Sequence, residues 1–381
     1  MKKILFFYPD NPFITNQGNN ARALELLHYF KNQNFKVDFV GEVQHNFNKE
    51  DLKEIEATEL VNKAYILRKR KHSGLRYLFM HSILGRLING TKNFNRIGVG
   101  QQKEFEKILA ENSYDYILIS YVLFAPFIAN KKRLKGAKTI VDTHDFFTAQ
   151  FHGNNFKITG NNFKTELKYL NKFDSVWTIS TDEEFIFSQF LPQKEIKTIP
   201  HGIQDNSETK EVESSIDIFY VGSNNPHNTS SAKWFFDKVY PLLPDTIKIT
   251  VVGRVCSAVP EKENIEKIEY AESLSDYYKK SKITICPMLS GTGLKIKVVE
   301  SLSYGIPVVC NSRGVDGLLN KLNNGCIVTN EPVEFSKAIQ KLLNDKTYYQ
   351  EYSENAIDFF RKSLHNEIVY KKLDTFFSEE N

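Results

Sequence analysis

The chain alternates between short apolar runs and longer amphipathic ones for nearly its whole length. The apolar runs are five to seven residues long and rich in β-branched and aromatic side chains: KILFFY, KVDFVG, YILIS, KTIVD, SVWTIS and EIKTIP in the first half, then IDIFYVG, IKITVVG, KITICP, IPVVC and GCIVT. Between them lie ARALELLHYFKNQ, KEFEKILAEN and SAKWFFDKVYPLL, whose apolar positions recur at helical spacing. Continuous apolar strands are buried on both faces, so strands alternating with helices predict parallel sheets with helices on either side. The fold class is therefore α/β, doubly wound.

The alternation breaks once. Residues 204–215 (QDNSETKEVESS) are polar and nearly half charged, and read as a linker. The strand-then-helix order restarts at IDIFYVG. This predicts a first Rossmann-like domain over 1–203, a second over 216–355, and C-terminal helices over 356–381 that pack back toward the first domain. Two such domains in tandem predict a cleft between them, with ligands gathered beyond the carboxyl ends of the strands. The residues just after each strand become the candidates.

Composition narrows the class. With 381 residues, 41% hydrophobic and 25% charged, the chain is of ordinary globular make-up and long enough for two cores. The net charge of +4 is too mild to imply nucleic acid. Cys256, Cys286, Cys310 and Cys326 include no CxxC pair and no Cys/His cluster, so buried free thiols in a reducing cytoplasm are expected, not a disulfide or zinc framework. The opening MKKILFF stops at Tyr8-Pro9-Asp10, short of the apolar core of an export signal, and no run reaches the length of a membrane span.

The segment with most chemistry is Pro287–Val309, PMLSGTGLKIKVVESLSYGIPVV. A strand ends, the turn SGTG follows, and a helix starts near Leu294 and stops at Gly305 with Pro307 beyond it. The N-terminus of such a helix offers N–H groups and a positive dipole to phosphate. Lys297 and Glu300 are three apart and share a face: a cation for a phosphate and an acid for a ribose diol, or a plain solvated ion pair.

This block resembles the donor-binding signature of the retaining glycosyltransferases of family four (group 1), which have the GT-B fold. Many members read G-x-G-x-K-x-K-x-x-E-A-x-x-x-G-x-P-V-V. Here it stands as Gly291, Gly293, Lys295, Lys297 and Glu300, then Gly305, Pro307 and Val308. FYVGSNNPHN, VVGR, SRGVDGL, TIPHGI, VDTHD and the N-terminal NQGNNAR resemble further landmarks in the same order, so the resemblance spans nearly the whole chain. One departure is Thr292, which stands where many members carry the first of two glutamates.

The resemblance implies transfer of a sugar from a nucleotide-diphosphate donor, with retention and without a metal, to a hydroxyl of a glycan or lipid-linked acceptor, in bacterial surface polysaccharide or glycoconjugate synthesis. No cofactor is implied beyond the donor itself. Gly18, Gly222, Ser223, Thr292, Gly293, Leu294, Lys297 and Glu300 become the donor-binding set. Lys297 and Arg254, which directly follows a strand, would hold the growing negative charge; an arginine merely in solvent fits Arg254 too. His144, also after a strand, would lie near the donor sugar, or be a strand-end histidine bonded to a neighbouring loop. Asp142 and Asp145 could orient it or cap a helix; with it they also form a weak metal motif. Gly18 lets the backbone approach a ligand, or precedes a turn capped by Asn19 or Asn20. Two other readings share the architecture: a nucleotide-sugar 2-epimerase, which needs no acceptor, and a non-catalytic nucleotide-binding member.

One charge pattern stands outside this scheme. Residues 61–102 hold nine Lys and Arg and no acid, interleaved with Tyr77, Phe79, Leu84 and Leu87. That pattern predicts docking on an anionic membrane, the protein being cytoplasmic and peripheral, or else a solvated basic face. No nucleic-acid motif accompanies it.

Overall fold

A computed structural model describes residues 1–14, 18–43, 47–68, 94, 96–98, 100–150, 156–209 and 214–378. The chain divides into two compact units, Met1–Ile199 and Pro200–Asn381.

The first unit is built on a parallel sheet of β1 (Lys3–Phe7), β2 (Lys36–Glu42), β3 (Lys63–Leu67), β4 (Tyr116–Ser120), β5 (Lys138–Asp142), β6 (Ser175–Thr178) and β7 (Glu195–Thr198), in the order β3-β2-β1-β4-β5-β6-β7. The chain winds outward from β1 to β3, then returns to β4 on the other side of β1. The order thus reverses between β1 and β4, where ligands collect in such sheets. Leu5, Phe7, Ile117, Ile119 and Val141 face one core, packed by Phe105, Phe124 and Phe127.

The second unit repeats the plan with β8 (Ile216–Val221), β9 (Ile249–Val252), β10 (Ile265–Ile268), β11 (Ser281–Cys286), β12 (Val308–Cys310) and β13 (Cys326–Val328), in the order β10-β9-β8-β11-β12-β13. Here the reversal falls between β8 and β11. Ile218, Tyr220, Val251, Ile283 and Ile285 form its core with Phe235, Phe236 and Phe335. The described part of the polar 204–215 segment is fixed to this unit: Asn206 N–H donates to Ser303 O at 2.9 Å, and Arg361 pairs with Asp205. Residues 210–213 of that segment lie outside the described residues.

The doubly wound α/β architecture matches the sequence pattern. Two strands escape that pattern, β3 (KAYIL) and β10 (IEKI), and both are edge strands of their sheets. An edge strand has solvent on one side and tolerates Lys and Glu, so its apolar signal is diluted. The helix expected from Leu294 runs over Ile296–Ser303 instead, because Lys295 is extended at its start (φ −87°, ψ 99°). All four cysteines are unpaired, with Cys286 and Cys310 buried in adjacent strands. No described helix is long and apolar enough to cross a membrane.

Candidate functional site

In the second unit the turn after β11 and the turn after β8 meet at the switch point. Helix Ile296–Ser303 carries Lys297, whose Nζ donates to Asn228 Oδ1 at 3.1 Å and lies 5.2 Å from the centre of the Tyr220 ring. Asn228 in turn donates from Nδ2 to Ser223 O and Oγ, each at 3.1 Å. Asn228 itself is placed by Asn225, the N-cap of helix Pro226–Trp234, whose Oδ1 accepts from Asn228 N–H at 2.8 Å. A line of polar contacts thus joins Lys297 to the Gly222-Ser223 turn. Gly253 (φ +103°) cannot carry a side chain cheaply, because a Cβ there would press on the Gly222 carbonyl oxygen, while a Cβ at Gly222 would sit tightly, 3.2 Å from Val255.

Glu300, one turn on, accepts from Tyr278 O–H at 2.8 Å. Lys297 and Glu300 therefore share a face, yet among the described residues no ion pair joins them; each is held by its own neutral partner. Burial pushes the Lys297 ammonium down and the Glu300 carboxyl up, and their mutual attraction offsets this only in part. A phosphate and a ribose diol would relieve both.

The SGTG turn is held from within. Lys295 Nζ donates to the carbonyls of Thr292 (3.2 Å) and Gly293 (2.8 Å), and both Gly291 and Gly293 have positive φ. His227 Nδ1 lies 2.8 Å from Ser290 Oγ and ties the turn to helix Pro226–Trp234. Leu294 is buried, and Thr292 Oγ1 is buried without a hydrogen-bond partner. Arg254 sits at the carboxyl end of β9 with an exposed side chain. A hollow of ≈ 970 Å³ lies elsewhere in this unit, bounded by Ser215, Lys248, Glu266 and Asp276, and none of the predicted site residues lines it.

In the first unit the carboxyl ends of β1, β4 and β5 bring together Tyr8, Tyr121 and His144. The His144 ring stacks on Tyr121 (centroids 4.3 Å, 19° between planes) and leans on Tyr8 at 5.8 Å. Its Nε2 is 3.1 Å from Asp142 Oδ2, an ion-pair distance without hydrogen-bond alignment, and its Nδ1 has no partner. Asp142 is held by Arg22, whose Nε and Nη2 donate to Oδ2 and Oδ1 at 2.9 and 2.7 Å. Burial pushes the Asp142 carboxyl up, but Arg22 and His144 outweigh it and hold the group well below the usual carboxylate range. Asn19 donates to Tyr121 Oη at 2.7 Å and Tyr8 donates to Asn20 Oδ1 at 2.5 Å.

Thus the two N-terminal landmarks form one assembly. Helix Gly18–Asn32 begins at Gly18, and its first residues reach Tyr8, Tyr121 and Asp142. Asn19 and Asn20 lie within the helix and bond these tyrosines. His144 is 3% exposed, a buried side chain. Tyr121 (φ +67°, ψ 127°) and His144 (φ +59°) both adopt positive φ, a conformation that costs a non-glycine residue on the order of 1–3 kcal/mol and clusters at functional sites. Tyr220 and Asn228 lie in the FYVGSNNPHN landmark but do not stand out there, and nothing in the sequence marks Tyr8, Tyr121 or Tyr278 as site residues, because strand order places them.

Two buried carboxyls underpin the loop after His144. Glu166 accepts from Phe147 N–H and Thr148 N–H, both at 2.8 Å, and Glu183 accepts from Thr143 Oγ1 at 3.2 Å. Burial pushes Glu166 up to about 7 and, with Asp145 nearby, Glu183 up to about 8. Among the described residues no group of three His, Cys, Asp or Glu could hold a metal ion. Most of the basic 61–102 segment, residues 69–93, lies outside the described residues.

Residues 215–345, within the second unit, match the family model of glycosyl transferases group 1. Over its whole length the chain is similar to an uncharacterized 44.6 kDa protein in the cps region of Klebsiella pneumoniae, 23% identical over 404 residues that cover 98% of this chain and 99% of the relative. Among solved structures it is similar to sucrose-phosphate synthase from Thermosynechococcus elongatus (TM-score 0.71, 13% identity, 100% and 99% of the two chains). It is equally similar to Anabaena HepE in complex with UDP and glucose (TM-score 0.70, 14% identity, 100% of both chains). The architecture is that of the GT-B glycosyltransferases.

Proposed function

We propose, on the premise that the second unit carries a group 1 glycosyltransferase domain, that the chain transfers a sugar from a nucleotide-diphosphate donor to a hydroxyl of a glycan or lipid-linked acceptor, with retention and without a metal ion. The observation that carries this reading is the line Lys297–Asn228–Ser223 at the β8/β11 switch point: a partly desolvated ammonium hydrogen-bonded to a neutral amide, beside a glycine-bearing turn and a helix N-terminus. As the bond from sugar to phosphate breaks, negative charge grows on the diphosphate. Lys297 and the N–H groups of the Gly222 and Gly293 turns oppose it, with Arg254 as a second cation. Glu300 takes the ribose.

His144 serves the sugar end of the donor. Its free Nδ1 and its strained, stacked position support this role. UDP in the complex of the similar Anabaena protein makes a uridine donor the first to try. The likeness to a protein of a cps region supports an acceptor in surface polysaccharide synthesis. Docking on an anionic membrane through 61–102 rests on the sequence alone.

The test is a thermal-shift screen against UDP-, GDP-, ADP-, CMP- and dTDP-sugars, followed by assay of nucleotide release with acceptor. A ligand present at a hundred times its Kd stabilises by about 2.7 kcal/mol, readily seen as a higher melting temperature. One of the five should stabilise the chain; no shift with any of them contradicts the proposal.

A further inference from the structure

His144 has few hydrogen bonds to fix its ring. Nδ1 is without a partner, and the Nε2 contact to Asp142 is misaligned, while the carboxylate of Asp142 is spent on Arg22. What fixes the plane of the imidazole is the Tyr121 ring, 4.3 Å away and 19° from parallel. Tyr121 is in turn fixed at both ends. Its N–H donates to Asp142 O at 2.8 Å, and its Oη accepts from Asn19 at 2.7 Å.

The backbone of Tyr121 is the telling feature. Its φ of +67° with ψ of 127° is a region that suits glycine and penalises any L side chain. Tyr121 sits directly after β4, where a glycine would turn the chain without strain. A tyrosine is present despite that penalty, and its ring lies against the imidazole of a residue that also has positive φ. Strain at two stacked residues on neighbouring strand ends persists when the surroundings over-determine it, and here they do so through Asp142 and Asn19.

From this we infer that Tyr121 is a positioning residue: its ring sets the orientation of His144 for the sugar-transfer step. The inference rests on the role given to His144 above. Because Tyr121 acts through His144, its loss should lower turnover without weakening the donor, and should matter only while the imidazole is there to be oriented.

The test is a double-mutant cycle on the full chain, using Tyr121→Leu, His144→Ala and the pair, with the nucleotide sugar selected by the thermal-shift screen. Tyr121→Leu should lower kcat about tenfold or more, with donor KM within about twofold. Tyr121→Phe, which keeps the ring and loses the Asn19 bond, should recover most of that loss. In the His144→Ala background Tyr121→Leu should cost nothing further. If Tyr121→Leu does not fold, Tyr121→Gly, which removes the ring and the strain together, takes its place with the same expected fall in kcat. An equal loss in both backgrounds overturns the inference, as does full turnover of Tyr121→Leu where His144→Ala is slow. Full turnover of His144→Ala is a different result: it removes the role of His144 itself.

Discussion

The two switch points hold their charges in opposite ways. In the second unit Lys297 and Glu300 are each hydrogen-bonded to a neutral group, Asn228 and Tyr278, and among the described residues no close ion pair joins them. In the first unit Asp142 is buried against Arg22 in a two-pronged pair, with His144 beside it. The first arrangement leaves charge unspent for a ligand. The second spends its charge internally and offers a ligand only the imidazole it surrounds. The two switch points thus differ in whether the local charges are already matched by an ion pair.

That contrast predicts different responses to the same kind of mutation. Asp142→Ala strands the Arg22 guanidinium in a buried site and should lower unfolding free energy by about 3–5 kcal/mol. Urea denaturation measures it, and a loss below about 1 kcal/mol would mean that the first unit does not rely on this pair. Lys297→Ala leaves only a neutral Asn228 behind and should change stability far less.

Next in size, Glu300→Gln should weaken donor binding by about 1–2 kcal/mol, the difference between a charged and a neutral acceptor for the ribose. The melting temperature of the free protein should stay near that of wild type, since Tyr278 can still donate to the amide oxygen. Unchanged donor affinity would make Glu300 a structural partner of Tyr278 alone.

A further effect concerns pH. Glu183 and Glu166 have folded-state values raised to about 8 and about 7, above the unfolded carboxylate value. The native state therefore holds their protons more tightly, and the stability they contribute is fully present below the unfolded value of about 4.3 and is lost as pH rises through about 7 and 8. Asp142 works the other way, contributing stability above the unfolded carboxylate value that is lost only in strong acid. Glu183→Gln should accordingly flatten the fall in melting temperature between about pH 5 and pH 9. An identical pH profile in the variant would show that this carboxyl is not protonated in the folded chain at neutral pH.

The second unit was far more legible in the sequence than the first. There the site is local: strand, SGTG turn, helix and the Lys297–Glu300 spacing lie within fourteen residues of one another in a single βαβ unit, Cys286 to Glu300. The Gly222-Ser223 turn, Tyr220, Asn228, Arg254 and Tyr278 come from elsewhere. In the first unit the site is assembled from β1, helix Gly18–Asn32, β4 and β5, so Arg22 and Asp142 meet across 120 residues of chain. NQGNNAR and VDTHD could be noticed separately, but their pairing depends on the order β1-β4-β5, which no spacing encodes. Tyr121 was hidden for a further reason. Nothing in SYVLFAP marks a residue of positive φ, because the usual mark is a glycine and here that residue is a tyrosine.

The most direct test of the account is calorimetric titration of UDP into wild type and Lys297→Ala. A charge-assisted contact to phosphate is worth about 2–3 kcal/mol, so the variant should bind about 30- to 150-fold more weakly, with its melting temperature in the absence of nucleotide little changed. Wild-type affinity in a folded Lys297→Ala protein would contradict the claim that the β8/β11 switch point holds the donor diphosphate.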